Sequence, residues 1–264
     1  MRELERDSLP SPLNAGSLVV VGRGRVGRSL SSAAELAGID VRLVAHDDTP
    51  EEWPAGAAVL LCVPDGAISE VCASLALAAP SRVGHVSGAT TLDALASATR
   101  LGAGGFSLHP LQTFADGETP LEGTPAAVAG TDRESLAYAR ALADALGMRP
   151  FDVPEESRAA YHAAAAISSN LLIALEESAV ELLDRLGIGD ARELLAPLVL
   201  RTAANWSERG PDALTGPAAR GDRATVERHR AALSETAPEL LAAYDALAAR
   251  AEAVARESAE EVSA

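Results

Sequence analysis

Lysine is missing from this chain. All 22 basic residues among its 264 are arginine, which excludes a Schiff-base amine, a lysine general acid and a Walker-type phosphate lysine. Aromatic residues make up only 3%, so apolar cores must be built from Ala, Leu and Val, side chains that let helices pack closely. Cysteine is limited to Cys62 and Cys72. Their spacing fits neither a metal site nor a disulfide framework, and both read as small buried apolar residues. Positive charge is scarce as well: a formal net charge of -16 repels phosphate backbones and anionic lipid, so nucleic acid and membrane are poor partners. No run of the ~20 apolar residues expected of a spanning helix stands out. Residues 1–16 are polar, contain Pro10 and Pro12 and lack an apolar stretch; they read as a disordered N-terminal segment, with the cytoplasm as the expected location.

What is present is a chain 48% hydrophobic, long enough for two modest domains with real cores. Its organising stretch runs from Leu18 through Gly22, Gly24 and Gly27 to Leu30: four apolar residues leading directly into G-x-G-x-x-G. A strand, a tight turn and a helix start are expected there. Gly22 permits the turn, Gly24 lets a pyrophosphate approach the backbone, and Gly27 lets the helix lie close to the strand. Free N–H groups and the helix dipole supply positive potential. The backbone of Gly22, Arg23, Gly24, Arg25, Val26 and Gly27 is thus the expected phosphate cradle, with Val63 and Pro64 at a neighbouring strand end.

Further strands are expected at 41–45, 58–63, 82–86, 105–108, 125–128 and 150–153, alternating with helices through residue 146. From Pro154 onward the pattern is helical only, beginning with a run of about 30 residues from Glu155 to Leu186 (~45 Å). The expected fold class is α/β: an N-terminal Rossmann doubly wound sheet over 17–153, followed by an all-α C-terminal domain over 154–264 that binds substrate and dimerises.

Cofactor choice turns on the end of the second strand. Asp47 lies about 20 residues after Gly27, where a carboxylate accepts the ribose 2′-OH of NAD and repels the 2′-phosphate of NADP. Arg23, Arg25 and His46 favour the phosphate instead. NAD is preferred on balance, with NADP as the alternative; no metal site is expected.

His109, at a strand end before Pro110, points to where a nicotinamide ring would lie, and an imidazole suits proton transfer, the alternative being a histidine that caps a loop through a backbone carbonyl. Ser87, at the parallel strand end, would either orient a substrate oxygen or serve as ordinary turn chemistry. His162, Ala166 and Asn170 fall on one face of a continuous helix, a polar stripe for a ligand or for a helix-helix hydrogen bond. The basic stretch that holds Arg220, Arg223, Arg228, His229 and Arg230 would receive a substrate carboxylate or a cofactor phosphate, or form a solvated face bridged to the surplus acids; Arg220, in the loop, is the candidate ligand.

These motifs together resemble the Rossmann-like bacterial proteins whose C-terminal half is the helical domain of unknown function 2520: Gly22-x-Gly24-x-x-Gly27, Val63-Pro-Asp65, His85-x-Ser87-Gly88, His109-Pro-Leu-Gln-Thr-Phe114, Tyr161-His-Ala-Ala, Asn170, Leu214-Thr-Gly-Pro217, Arg220-Gly-Asp222, Thr225-Val and His229. The resemblance implies a fold of the 6-phosphogluconate dehydrogenase-like group, often dimeric through the helical domain, related to pyrroline-carboxylate and ketopantoate reductases. Ser87 and His109-Pro110 are also similar to the Ser and His-Pro pair of prephenate dehydrogenases, which implies His109 as acid/base. Where β-hydroxyacid dehydrogenases place a lysine one turn before an Asn, this chain has Ala166, so His109 or His162 would take that role. The expected activity is hydride transfer between a nicotinamide and a small carboxylate-bearing carbonyl, hydroxy or imine compound, ketopantoate-like compounds included. The alternative is a non-catalytic dinucleotide-binding sensor.

Overall fold

The computed structural model describes Leu13 and residues 17–45, 56–75 and 81–263, with side chains to residue 260. The expectations for residues 1–16, His46 and Asp47 therefore lie outside the described residues, apart from Leu13.

Seven strands form one sheet in the order β2-β1-β3-β4-β5-β6-β7: β1 (Leu18–Val21), β2 (Val41–Val44), β3 (Ala58–Leu61), β4 (Arg82–His85), β5 (Gly104–Pro110), β6 (Pro125–Gly130) and β7 (Arg149–Asp152). All neighbours are parallel except β5 and β6, where Phe106 faces Gly130 and Pro110 faces Ala126 in antiparallel register. Four helices join this part of the chain: α1 (Arg25–Leu36), α2 (Ile68–Leu75), α3 (Ala96–Thr99) and α4 (Arg133–Ala145). The connection from β5 to β6, residues 111–124, contains no helix. Parallel neighbours need a long crossover, and the chain doubles back instead.

Strand alternation sorts the core into two layers. Leu18 and Val20 point to the face that holds Leu30, Phe106 and Leu142, while Val19 and Val21 point to the face that holds Ile68, Leu75 and Val83. Both faces are buried, so the strands read as unbroken apolar runs. Fully burying one such leucine or valine is worth about 1.5–3 kcal/mol. The strand order reverses at β1, with β2 on one side of it and β3 on the other, and the parallel strands end on one edge; a crevice opens at such a switch point.

The chain divides into two compact units, residues 1–167 and 168–264. Helix α5 (Arg158–Ser168) goes with the sheet, and α6 (Asn170–Arg185) opens the second unit. The single helix expected from Glu155 to Leu186 is thus two, separated at Ser169, whose backbone (φ -134, ψ -82) is not helical. This breaks the proposed His162, Ala166, Asn170 stripe, which required one uninterrupted helix. By length and composition the run Glu155–Arg185 is apolar enough to cross a membrane, contrary to the composition-based expectation, because its many alanines count as apolar. Its beginning is nevertheless tied to the sheet by Arg158, which is 1% exposed.

The second unit continues with α7 (Ala191–Arg209), α8 (Arg223–Thr236) and α9 (Leu241–Ser263). Asp222 caps α8, accepting from the Thr225 N–H at 3.1 Å, as an N-cap aspartate should.

Candidate functional site

The glycine-rich turn has the form its spacing predicts. Gly22 has φ +119, and a Cβ there would lie 2.3 Å from the Cys62 carbonyl oxygen, so β1 and the end of β3 touch backbone to backbone. A Cβ on Gly27 would lie 1.9 Å from the Gly22 carbonyl oxygen, which brings α1 hard against the turn. Gly24 differs: a Cβ there would meet nothing within 4 Å. It stands at the N-cap of α1 with extended backbone and no side-chain cap, so the first N–H groups of the helix face open space. An anionic group fits there. Burial pushes the thiols of Cys62 and Cys72 up, as inert core cysteines require.

Two arginines brace this turn. Arg28 Nε donates to the Arg23 carbonyl oxygen at 3.0 Å, and Arg25 donates to the Phe114 carbonyl oxygen at 3.2 Å. The second contact draws the β5–β6 connection toward the start of α1. Val63 is half-buried and Pro64 exposed at the end of β3.

Farther along the same strand-end edge, β5 carries His109 beyond its last parallel partner, since Ser107 already pairs with His85. The Nδ1 of His109 lies 2.7 Å from the Tyr161 hydroxyl of α5. Its ring meets that of His162 edge to face with centroids 5.9 Å apart. A Cβ on Gly88 would lie 2.8 Å from His109 Cε1 and 2.9 Å from His162 Cδ2, so only glycine admits both rings. Burial, helped by the neighbouring His162 and Arg158, lowers His109 to about 4. It is a neutral imidazole at pH 7.

Ser87 is 5% exposed, and its hydroxyl is committed locally. It donates to Thr90 Oγ1 at 2.9 Å and accepts from the N–H groups of Thr90 at 2.9 Å and Ala89 at 3.2 Å. Its side chain holds the turn that carries Gly88, the turn chemistry that was one of its two expected readings.

Sequence reasoning missed Arg158 as a site residue. It is buried, with Nε donating to Glu155 Oε1 at 2.7 Å, Nη1 to the Ser87 carbonyl oxygen at 3.2 Å, and Nη2 to Ser107 Oγ. Glu155 in turn accepts from the Leu92 N–H at 2.7 Å. One ion pair thus fastens α5, with Tyr161 and His162, to β5 and to the turn after β4. His85 was quoted only as part of a motif. It is fully buried, without a hydrogen bond of normal geometry to either ring nitrogen, and burial lowers it to about 4.

The first unit therefore gathers the glycine turn, Val63, Pro64, Ser87, His109 and His162 on a single edge. Asn170 and Arg220 belong to the second unit, where both are exposed. The Asn170 amide oxygen accepts from Ser169 Oγ at 2.8 Å. Among the described residues there is no cluster of three or more His, Cys, Asp or Glu side chains able to hold a metal.

No curated protein matches the chain by sequence. Among solved structures, a Bacteroides fragilis protein assigned as an NADP oxidoreductase superposes with TM-score 0.74 at 19% identity, over 90% of this chain and 98% of its own. A Thermotoga maritima protein gives TM-score 0.71 at 24% identity, covering 91% and 99%. An Aspergillus terreus reductive aminase in complex with NADPH and ethyl-5-oxohexanoate gives 0.62 at 15%, covering 90% and 93%. At these identities the likeness is one of fold. The model of a domain of unknown function, DUF2520, matches residues 124–251. Residues 124–251 are thus similar to DUF2520, and the chain as a whole shares the fold of these solved structures, a Rossmann-like sheet followed by a helical region.

Proposed function

We propose that this protein is an NAD(P)-dependent dehydrogenase or reductase that moves a hydride between the nicotinamide and a small carboxylate-bearing carbonyl, hydroxy or imine compound, a ketopantoate-like one included. The observation that carries the reading is Gly24: the one turn glycine whose Cβ position is empty stands at an uncapped helix start, and the fold brings His109 to the same sheet edge. When bound, the dinucleotide supplies or takes the hydride at its C4. His109 gives a proton to the reacting oxygen or nitrogen, or takes one from it, and His162, Asn170 and Arg220 bind the substrate. Gly22 to Gly27, Val63 and Pro64 hold the dinucleotide. His46 and Asp47 flank the adenosine ribose, and Asp47 favours NAD. The protein works in the cytoplasm as a homodimer joined through its helical unit.

The deciding experiment is a fluorescence titration with NADH and NADPH, with Asp47→Ser beside the wild type. NADH binding that weakens in the variant as NADPH binding strengthens supports the reading. Failure of both cofactors to bind overturns it. Tight binding without turnover of any keto acid, hydroxy acid or cyclic imine would make the protein a dinucleotide sensor.

A further inference from the structure

The two ring nitrogens of His109 have different surroundings. Nδ1 faces the Tyr161 hydroxyl at 2.7 Å, with the rings edge to face at 5.5 Å. Tyr161 is itself packed edge to face against Phe151 of β7. Nε2 lies toward Gly88 and His162. A phenol and a neutral imidazole share one proton in such a bond, and the imidazole nitrogen is much the better acceptor of the two, so the phenol is the donor.

The charged and titratable groups around His109 are Arg158, Tyr161 and His162 from α5, His85 from β4 and Asp65 from the turn after β3. Burial above all, with the guanidinium of Arg158 beside it, opposes an imidazolium. Burial pushes Tyr161 up to about 12, against the pull of Arg158. Both partners are uncharged at neutral pH. A neutral imidazole that gives up its only proton would become an imidazolate, so it can act as an acid only if its other nitrogen is supplied at the same time.

We propose that Tyr161 acts through His109: its hydroxyl donates to Nδ1, which leaves the ring proton on Nε2, and the hydroxyl proton passes to Nδ1 as Nε2 releases its own to the substrate. This rests on the oxidoreductase reading above. In the reductive direction the hydride adds to the carbonyl carbon, and the π electron pair of the C=O bond moves onto oxygen. That oxygen takes the Nε2 proton, Nδ1 takes the Tyr161 proton, and water restores the phenol. His109 changes tautomer without ever carrying charge. Tyr161 is a positioning residue in this scheme, one step removed from the reacting atoms.

The test is nitrogen NMR of the His109 ring in the full-length chain, with His109→Gln to assign the signals, comparing wild type and Tyr161→Phe around neutral pH. NADH and NADPH are each titrated into the same samples. The expected wild-type result is a neutral ring protonated at Nε2, in roughly tenfold excess over the other tautomer for a bond worth about 1.4 kcal/mol; Tyr161→Phe brings the two tautomers toward equal populations. A ring protonated at Nδ1 in the wild type, or an unchanged ratio in Tyr161→Phe, overturns the proposal without needing a known substrate. Absence of binding of both NADH and NADPH alongside the expected tautomer would instead overturn the oxidoreductase reading on which the transfer step rests.

Discussion

The guanidinium of Arg158 donates to the carbonyl oxygen of Ser87 at 3.2 Å, a contact between residues far apart in sequence that ties α5 to the turn carrying Gly88. Arg158 is buried and Glu155, its ion-pair partner at 2.7 Å, is partly exposed. Removing one member of such a pair leaves the other groups without their donor, at a cost near the lower end of the range for buried pairs. Arg158→Met should destabilise the chain by about 3 kcal/mol in urea denaturation. Glu155→Gln should cost less, and the double variant should cost less than the sum, because the two side chains share one network.

Gly22 and Gly24 sit two residues apart and should respond oppositely to alanine. At Gly22 a methyl group would collide with the Cys62 carbonyl in a backbone conformation that favours glycine, so Gly22→Ala should lower the melting temperature sharply. At Gly24 φ is -71 and the Cβ position is empty. Gly24→Ala should therefore change stability by no more than about 0.5 kcal/mol while weakening dinucleotide binding about tenfold or more, because the methyl group would occupy the space kept for the pyrophosphate. Thermal melts and cofactor titrations on the same two variants separate the effects.

The contrast shows how much was legible beforehand. Glycine spacing gave the turn, and strand-end position singled out His109, because both are local signals. The antiparallel β6 was not read, although the helix-free stretch after Pro110 carried the cue: without a crossover helix the next strand must run back. Arg158 looked like an ordinary charge at a helix start. Its partners Ser87 and Ser107 become neighbours only after four strands have paired, so no sequence spacing could mark it. The helix break at Ser169 was hidden for a different reason, since no Gly or Pro marks it and its flanks, alanine-rich before it and leucine-rich after it, are helical on both sides.

Acid should unfold the protein earlier than its carboxylates alone would require. His85 and His109 both stand at about 4 in the folded chain, below the ordinary histidine value of about 6.5. Between those values the unfolded chain binds more protons than the folded one, so stability rises with pH through this window and falls as the solution is acidified through it. Above about pH 6.5 these two residues contribute no further slope. The loss on going from about pH 6.5 to 4 should be on the order of several kcal/mol for the pair. Urea denaturation at a series of pH values checks this, and His85→Gln should remove roughly half of the slope.

The helical unit is short of core. Of its described residues, the buried apolar ones are Ala191, Leu233 and Ala237, too few to hold nearly a hundred residues together. Meanwhile Leu171 and Ile173 on α6 and Leu194, Leu198, Leu200 and Trp206 on α7 are all exposed. Apolar side chains at this density are characteristic of an interface that a second copy covers. A homodimer is therefore expected in sedimentation experiments, with a melting temperature that rises with protein concentration. Ile173→Glu combined with Leu198→Glu should shift the species to monomer, or lower the melting temperature and abolish its concentration dependence. A wild-type chain that sediments as a monomer at all concentrations would mean that these side chains are covered in some other way.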